Sequence, residues 1–268
     1  MSGVSAEARV IDAVELRRRL EAYYVRYYRD TLAISGWREL VELRLADEAY
    51  EGRRLARLER VLSRTVRGHR LLNVGCGTGG FSALARRAGA DVWGVDASAE
   101  AVALAATRTP GAHALLAEAE ALPFPDRSVD IVYCYSTLEH VTSARRAVRE
   151  MVRVLRPDGV LYLYTLNRWA CFEGHYKVFW PPGLPRLLAA AYLRARGRPT
   201  AFLRSLRPLG LRECLTLLEE ANARVVRVLD DMADRPVGGP LWPLVRAYYR
   251  LFRILPCVEI VAERRGDT

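Results

Sequence analysis

Two patterns of apolar and polar residues follow one another along this chain of 268 residues. The first is helical. From residue 10 to 31, Ile11, Val14, Leu16, Leu20, Tyr24 and Tyr28 recur at close to helical spacing. Ser35-Gly36 interrupts the run, and residues 37 to 63 read as a second helix laced with charge pairs three or four residues apart. Gly68 closes this arm. From Arg70 the pattern changes to short apolar runs separated by helical stretches. RLLNVG, DVWGVD, a strand within AHALLAEAE, SVDIVYCY and GVLYLYTL read as five strands. Between them lie GGFSALARRAGA, SAEAVALAATR with Ser98 as its N-cap, and SARRAVREMVRVL, which Pro157-Asp158-Gly159 ends. Strands alternating with helices predict parallel βαβ units. The apolar runs are continuous, so both faces of the sheet are expected to be covered.

Residues 167 to 210 break the alternation with a mixture of aromatics, arginines and prolines, and an insert of that length within a domain is usually functional. A helix at LRECLTLLEEAN and strands at ARVVRVLD and CVEIVAER then bring the total to seven strands. Between the last two strands, residues 241 to 255 form a basic amphipathic segment, with Arg246, Arg250 and Arg253 on one face. The chain divides into an N-terminal helical cap, 1–68, and an α/β domain, 69–268, that carries the insert.

The first strand runs into GCGTGG, with Gly75, Gly77, Gly79 and Gly80 in six positions. Glycines at the first strand-to-helix turn of a doubly wound fold let the backbone reverse and let a ligand pass without meeting a Cβ. Asp96 ends the second strand about 20 residues on, where a carboxylate accepts hydrogen bonds from ribose hydroxyls. The glycines follow G-x-G-x-G rather than the G-x-G-x-x-G of a dinucleotide loop, and no basic residue in the run awaits a pyrophosphate.

LLNVGCGTGG, GVDAS, AEAEALPFPDRSVDIVYCYSTLEHV and VLRPDGVLYLYT, in this order, resemble the motifs of the class I S-adenosylmethionine-dependent methyltransferases, and most closely the small-molecule subgroup that includes the ubiquinone and menaquinone enzymes. The resemblance covers residues 70 to 166 and continues weakly through 211 to 264. It implies a doubly wound, Rossmann-like α/β fold: a seven-stranded, mostly parallel sheet with an antiparallel last strand. It also implies S-adenosylmethionine as cofactor and assigns roles by position. Gly75, Cys76 and Gly77 meet the methionine half, Asp96 the ribose and Ala97 the adenine. Glu118 and the Ala119 amide meet the edge of the adenine ring, and the Cys134 carbonyl lies near the methionine amine. Asn73 stands where the family often has an acid. Ser136 replaces the Glu that, three residues before a Glu-His pair, helps the ubiquinone O-methyltransferases bind a divalent metal; here the pair is Glu139-His140 and no metal is expected to be required.

Methyl transfer to a hydroxyl benefits from a base. The candidates are His140, just past the fourth strand, and His175, in the insert's FEGHYKVF. Tyr176 and Lys177 beside it, and Tyr24 and Tyr28 in the arm, are candidate acceptor contacts. Leu122, Phe124, His69 and His113 read as structural.

Composition narrows the partners. The net charge is +10, its basic residues all arginine except for Lys177, and favours an anionic partner: nucleic acid, an acidic membrane surface or a phosphorylated substrate. The arginines gather in no single tract. CYSTLEH stands where base-modifying methyltransferases carry Asn/Asp-Pro-Pro-aromatic, so no nucleic acid is expected. The alternatives of another class are a nucleic-acid modifying or binding protein, suggested by the net charge, and a catalytically silent cofactor-binding scaffold, suggested by Asn73 and Ser136. Five scattered cysteines without a CxxC pair indicate neither zinc nor disulfides and suit a reducing cytoplasm. No apolar signal core or membrane span is read. The expected acceptor is a glycan, lipid-linked compound or secondary metabolite methylated at oxygen, with a quinone or polyketide ring methylated at carbon or oxygen as the alternative. The basic segment and an insert helix near 186 to 204 suit contact with an anionic membrane.

Overall fold

The computed structural model describes residues 12–109, 113–230 and 242–266. The α/β part is a seven-stranded sheet in the order β3-β2-β1-β4-β5-β9-β8. Its strands are β1 (Arg70–Val74), β2 (Asp91–Asp96), β3 (His113–Leu116), β4 (Val129–Tyr135), β5 (Leu155–Leu166), β8 (Ala223–Val228) and β9 (Cys257–Arg264). A separate hairpin in the insert pairs β6 (Phe172–Glu173) with β7 (Val178–Phe179). The first five strands of the sheet are parallel to one another. The last strand of the chain, β9, is antiparallel as expected, and slots between β5 and β8.

Successive residues of one strand feed opposite cores, which is why the apolar runs are continuous. Leu72, Val74, Val132, Leu161 and Leu163 pack against Ala147, Val148 and Met151 of α6 (Ala144–Val154) and Cys214 and Leu218 of α8 (Leu211–Glu220). Leu71, Ile131, Tyr133 and Tyr162 pack on the other face against Phe81 and Ala85 of α4 (Gly80–Arg87) and Leu55, Leu58 and Val61 of α3 (Asp47–Leu62). The N-terminal arm therefore shares its core with the sheet. A third cluster joins Leu32 and Ile34 of that arm to the insert through Tyr176, Val178, Leu203, Leu206, and Ala189 and Leu193 of α7 (Arg186–Ala195).

Several boundaries differ from the pattern reading. The first helix begins at Ala13, where Asp12 accepts from the Glu15 amide, and residues 10 and 11 lie outside the described residues. This helix, α1 (Ala13–Val25), passes into a π-helical turn over Arg26–Thr31. The expected helix at 37 to 63 breaks at Ala46 (ψ 60°) into α2 (Trp37–Leu45) and α3. Helical spacing alone did not reveal the break, because helical residues continue on both sides of Ala46. The third strand is short, and Ala117 to Glu120 leave the sheet. Pro157-Asp158-Gly159 forms a bulge instead of a separate turn: β5 already begins at Leu155, opposite Val129, and pairing resumes at Val160 opposite Ile131. The insert helix spans only α7, with a single 3-10 turn at Phe202–Arg204. The basic segment forms α9 (Trp242–Phe252), and residue 241 lies outside the described residues.

Candidate active site

The turn after β1 lies where the strand order reverses, with β2 on one side and β4 on the other. Such switch points leave a crevice beyond the carboxyl ends of the strands. Here it deepens into a cavity of about 1600 Å³. Sites for one small molecule measure roughly 300–1,000 Å³, so there is room for two ligands side by side.

Two glycines of the turn act differently. Both have left-handed backbones, Gly75 at φ 74° and Gly77 at φ 53°. A Cβ on Gly75 would fall 2.0 Å from Thr137 Oγ1, so the loop after β4 packs directly on that backbone. Around a Cβ on Gly77 nothing lies within 4 Å, and that stretch of backbone faces the open cavity. Asp96 fixes the turn. Its Oδ2 accepts from the Gly77 amide at 2.8 Å and its Oδ1 from the Ser98 amide at 2.9 Å, at the start of α5 (Ala99–Arg108). Each oxygen keeps a lone pair for a ligand hydroxyl. The Tyr24 and Thr78 hydroxyls, 2.6 Å apart and buried, tie the N-terminal arm to the same turn. Asn73 is buried and donates to Ser82 Oγ at 2.9 Å, while Ala97, Glu118 and Ala119 continue the wall. Cys76 also lines it, but burial, with Asp96 nearby, pushes its thiol up to about 12. The Cys134 side chain lies in the core with α6 and does not line the cavity.

Residues 72–163, which build this wall, match the family model of a methyltransferase domain. By this stretch the chain is similar to S-adenosylmethionine-dependent methyltransferases. A malonyl-[acyl-carrier protein] O-methyltransferase of Serratia marcescens is 32% identical over 136 residues, 47% of this chain and 53% of that one. A ubiquinone biosynthesis O-methyltransferase of Sinorhizobium fredii is 36% identical over 107 residues, 38% of this chain and 43% of that one. The chain thus spans about half the length of these curated relatives. The fold is that of an S-adenosylmethionine-dependent methyltransferase from Mesorhizobium loti, with a TM-score of 0.56 at 21% identity over 83% of this chain and 100% of the other.

The cavity's second wall is assembled from distant segments. After β4 the chain turns at Ser136 (φ 52°), whose amide donates to the Tyr164 carbonyl at 2.8 Å, and His140 follows on the cavity wall. The β6–β7 hairpin carries His175 at its tip. His175 Nε2 lies 3.2 Å from His140 Nε2, and its Nδ1 lies 2.8 Å from Glu173 Oε1. Structure therefore joins the two candidate bases in one polar chain, held from the outside by Phe202 against both rings. With His175 Nδ1–H donating to Glu173, His175 Nε2 accepts from His140 Nε2–H. Burial first, and His175 second, lower His140 to about 4, so its imidazole is neutral at physiological pH. Glu173 sits below the ordinary carboxylate range: burial raises it, and the bonds from His175 and the hairpin backbone outweigh that.

Behind His140, Glu139 is fully buried. Its Oε2 accepts from Thr165 Oγ1 at 2.7 Å, and burial raises its carboxyl. Its Oε1 has no hydrogen-bond partner among the described residues. One donor atom each of Glu139, His140 and His175 fall within 4.8 Å of one another. These three residues could hold a metal ion, although Ser136 occupies the place of a third ligand in the sequence motif.

Tyr28 and Lys177 also line the cavity. Tyr176 does not: its ring is wholly buried in the cluster that joins the insert to Leu32 and Ile34, because the turn between β6 and β7 points His175, not Tyr176, at the cavity. Sequence reasoning passed over Glu173, although a residue two positions from His175 is a natural partner on an extended segment. It also passed over Tyr135 and Tyr164, whose rings stack at 4.1 Å on the wall, and Arg54, whose guanidinium lies 4.0 Å over Tyr135. Arg54 donates to the Tyr133 hydroxyl at 3.0 Å and Glu51 at 2.7 Å.

Proposed function

We propose that this protein methylates a hydroxyl oxygen of a small acceptor, of the glycan, lipid-linked or secondary-metabolite kind. One observation carries the reading: the glycine-Asp96 wall and the linked histidines open onto the same cavity, which has room for both cofactor and acceptor. The two relatives named as O-methyltransferases support oxygen as the receiving atom. S-adenosylmethionine, when bound, supplies a methyl group on a positively charged sulfur. The chain's residues do the rest. Asp96 holds the ribose hydroxyls, Glu118 and the Ala119 amide the adenine edge, and the open backbone at Gly77 admits the methionine half beside Asn73. Tyr28, Lys177 and the Tyr135–Tyr164 stack position the acceptor. Such positioning contributes an effective molarity of up to roughly 10⁵–10⁸ M. His140 Nδ1, the lone pair left by the chain of bonds to Glu173, takes the acceptor's proton, a contribution of about 10²–10⁴-fold. A quinone or polyketide ring is the second reading, favoured by the same tyrosine stack.

A lipid-linked acceptor agrees with the outer surface. Between Glu173 and Glu213 the chain has no acidic residue, while Lys177 and seven arginines fall there. Leu187 of α7 is 88% exposed and Leu251 of α9 is 77% exposed. No helix among the described residues is long and apolar enough to cross a membrane. The insert and α9 are the expected points of contact with an anionic membrane, so binding to phosphatidylglycerol vesicles is expected, weakening with salt and absent on neutral vesicles.

Calorimetric titration with S-adenosylmethionine and S-adenosylhomocysteine, with NAD as control, tests the cofactor reading on protein freed of copurified ligand. Micromolar binding of the two sulfur nucleosides alone is expected. A folded, emptied protein that binds neither overturns the reading.

A further inference from the structure

The cavity does not end at the histidines. An outer arm crosses the sheet, and strand register builds its floor. Tyr133 and Tyr135 of β4 lie opposite Tyr162 and Tyr164 of β5, and Glu259 of β9 lies opposite Tyr164. Paired and alternate residues share a face, so these five side chains form one polar patch where a covered sheet usually carries apolar residues. The rings stack on one another, Tyr133 on Tyr162 with planes 8° apart and Tyr135 on Tyr164 with planes 5° apart. With their faces so used, they turn edges toward the cavity, and ring edges carry positive partial charge. All five residues line the cavity, and Leu229 and Asp230, past the end of β8, continue it.

One helix runs along this floor. Arg54 of α3 lies 4.0 Å over Tyr135 of β4. Arg57 is held over β9 by both oxygens of Glu259, at 2.7 Å each, and the Tyr162 hydroxyl donates to the same carboxylate. The Val61 carbonyl accepts from Arg227 of β8 at 3.3 Å. α3 therefore crosses the strands, and Arg53, Arg57 and Arg60, at i, i+4 and i+7, follow one side of it along the cavity. Glu51 and Glu259 are matched to Arg54 and Arg57. Arg53 and Arg60 are exposed and have no acidic partner among the described residues; Asp230 is the other acid along this arm. A buried ion pair contributes little to stability on balance. The effect of Glu259 here is to hold one guanidinium of the row at a fixed place on the wall.

We propose that this arm binds the far end of the acceptor and that the acceptor carries a phosphate group there, held by Arg57 and Arg60 with Arg53 adding charge along the same wall. A phosphate has more oxygens than one arginine can use, and planar guanidiniums a helical turn apart match it. His140 follows β4, whereas Arg57 and Arg60 lie toward β9 and β8, so two to three strand spacings, roughly 10–15 Å, separate the phosphate from the reacting hydroxyl. The acceptor is therefore elongated. That it is an acceptor rests on the methyl-transfer reading; the arm and its arginines do not.

The test uses the full chain and 2-naphthyl phosphate, followed by its fluorescence anisotropy, with 2-naphthol as the neutral counterpart. One-to-one binding of the phosphate is expected, weakening with salt, with the naphthol bound at least about 10-fold more weakly, as for the loss of one charge-assisted bond. Arg60→Glu should weaken phosphate binding at least about 10-fold and Arg53→Glu by less. Both side chains are exposed, so S-adenosylhomocysteine affinity and melting temperature, measured on the same samples, should stay at wild-type values. Octyl phosphate below its micelle concentration is the lipid arm. Tighter binding than the naphthyl compound assigns the phosphate to a lipid carrier and weaker binding to a soluble ring compound; either order upholds the site. Phosphate binding by a protein that does not bind S-adenosylhomocysteine upholds the site and refutes the methyl-transfer reading alone. No stoichiometric binding of 2-naphthyl phosphate, equal binding of the naphthol, or wild-type affinity in Arg60→Glu overturns the proposal.

Discussion

The two walls of the cavity are built in opposite ways. The cofactor wall is local: residues 73 to 78 and 96 to 98 carry most of it, and backbone amides bonded to one carboxylate hold it in shape. The acceptor wall is a mosaic. Tyr28 comes from the N-terminal arm, His140 from the loop after β4, His175 from the insert and Tyr249 from α9. Its members are held by side-chain contacts across long separations, such as the Tyr249 hydroxyl accepting from the Cys171 amide at 2.8 Å. A local wall is preorganised by its own backbone. A mosaic wall is only as rigid as the cores beneath it, here the cluster that joins Leu32 and Ile34 to the insert.

The contrast can be broken most sharply at Asp96. Asp96→Ala removes two charge-assisted bonds to the turn and the ribose acceptors together, each worth about 1.5–3 kcal/mol. Cofactor binding should fall at least about 1,000-fold by calorimetry with the fold retained by circular dichroism; unchanged affinity refutes the ribose assignment. Next come the two glycines. Gly75→Ala should cost about 3 kcal/mol of stability, from left-handed strain and overlap with Thr137. Gly77→Ala should cost about 1 kcal/mol in denaturant unfolding yet weaken cofactor binding more, since its Cβ enters the ligand's space. Equal effects of the two substitutions on binding would erase the distinction between packing and cradle.

Tyr24→Phe should have a smaller effect, about 1 kcal/mol, by removing the bond to Thr78 that couples arm to turn. Seen as a lower melting temperature and a modestly weaker cofactor affinity, it would show how far the arm supports the local wall. The smallest effect concerns Cys76. Raised to about 12, its thiol stays protonated at pH 8, so iodoacetamide should label it far more slowly than a free cysteine, and labelling should quicken only well above pH 10. Rapid labelling at pH 8 would mean that the cofactor wall opens more than its hydrogen bonds suggest.

The cofactor wall was legible because its chemistry is written in consecutive residues. Glycines that the backbone needs, an acid at a strand's end and continuous apolar strands need no knowledge of distant contacts. From these the parallel sheet, its switch point and the position of Asp96 followed. The bulge at Pro157–Gly159 and the break at Ala46 were not legible, because partner strands and packing decide whether a turn signal ends an element or bends it. His140 and His175 could each be named in sequence, and Tyr176 beside them too. Only the fold of the turn between β6 and β7 decided that His175 faces His140 while Tyr176 packs with Leu32 and the insert. The chain alone determined the glycine turn and the acid at the end of the second strand, which form the wall proposed for the cofactor. Tertiary structure decided which residues form the opposite wall, because 35 residues separate two nitrogens that folding brings to 3.2 Å.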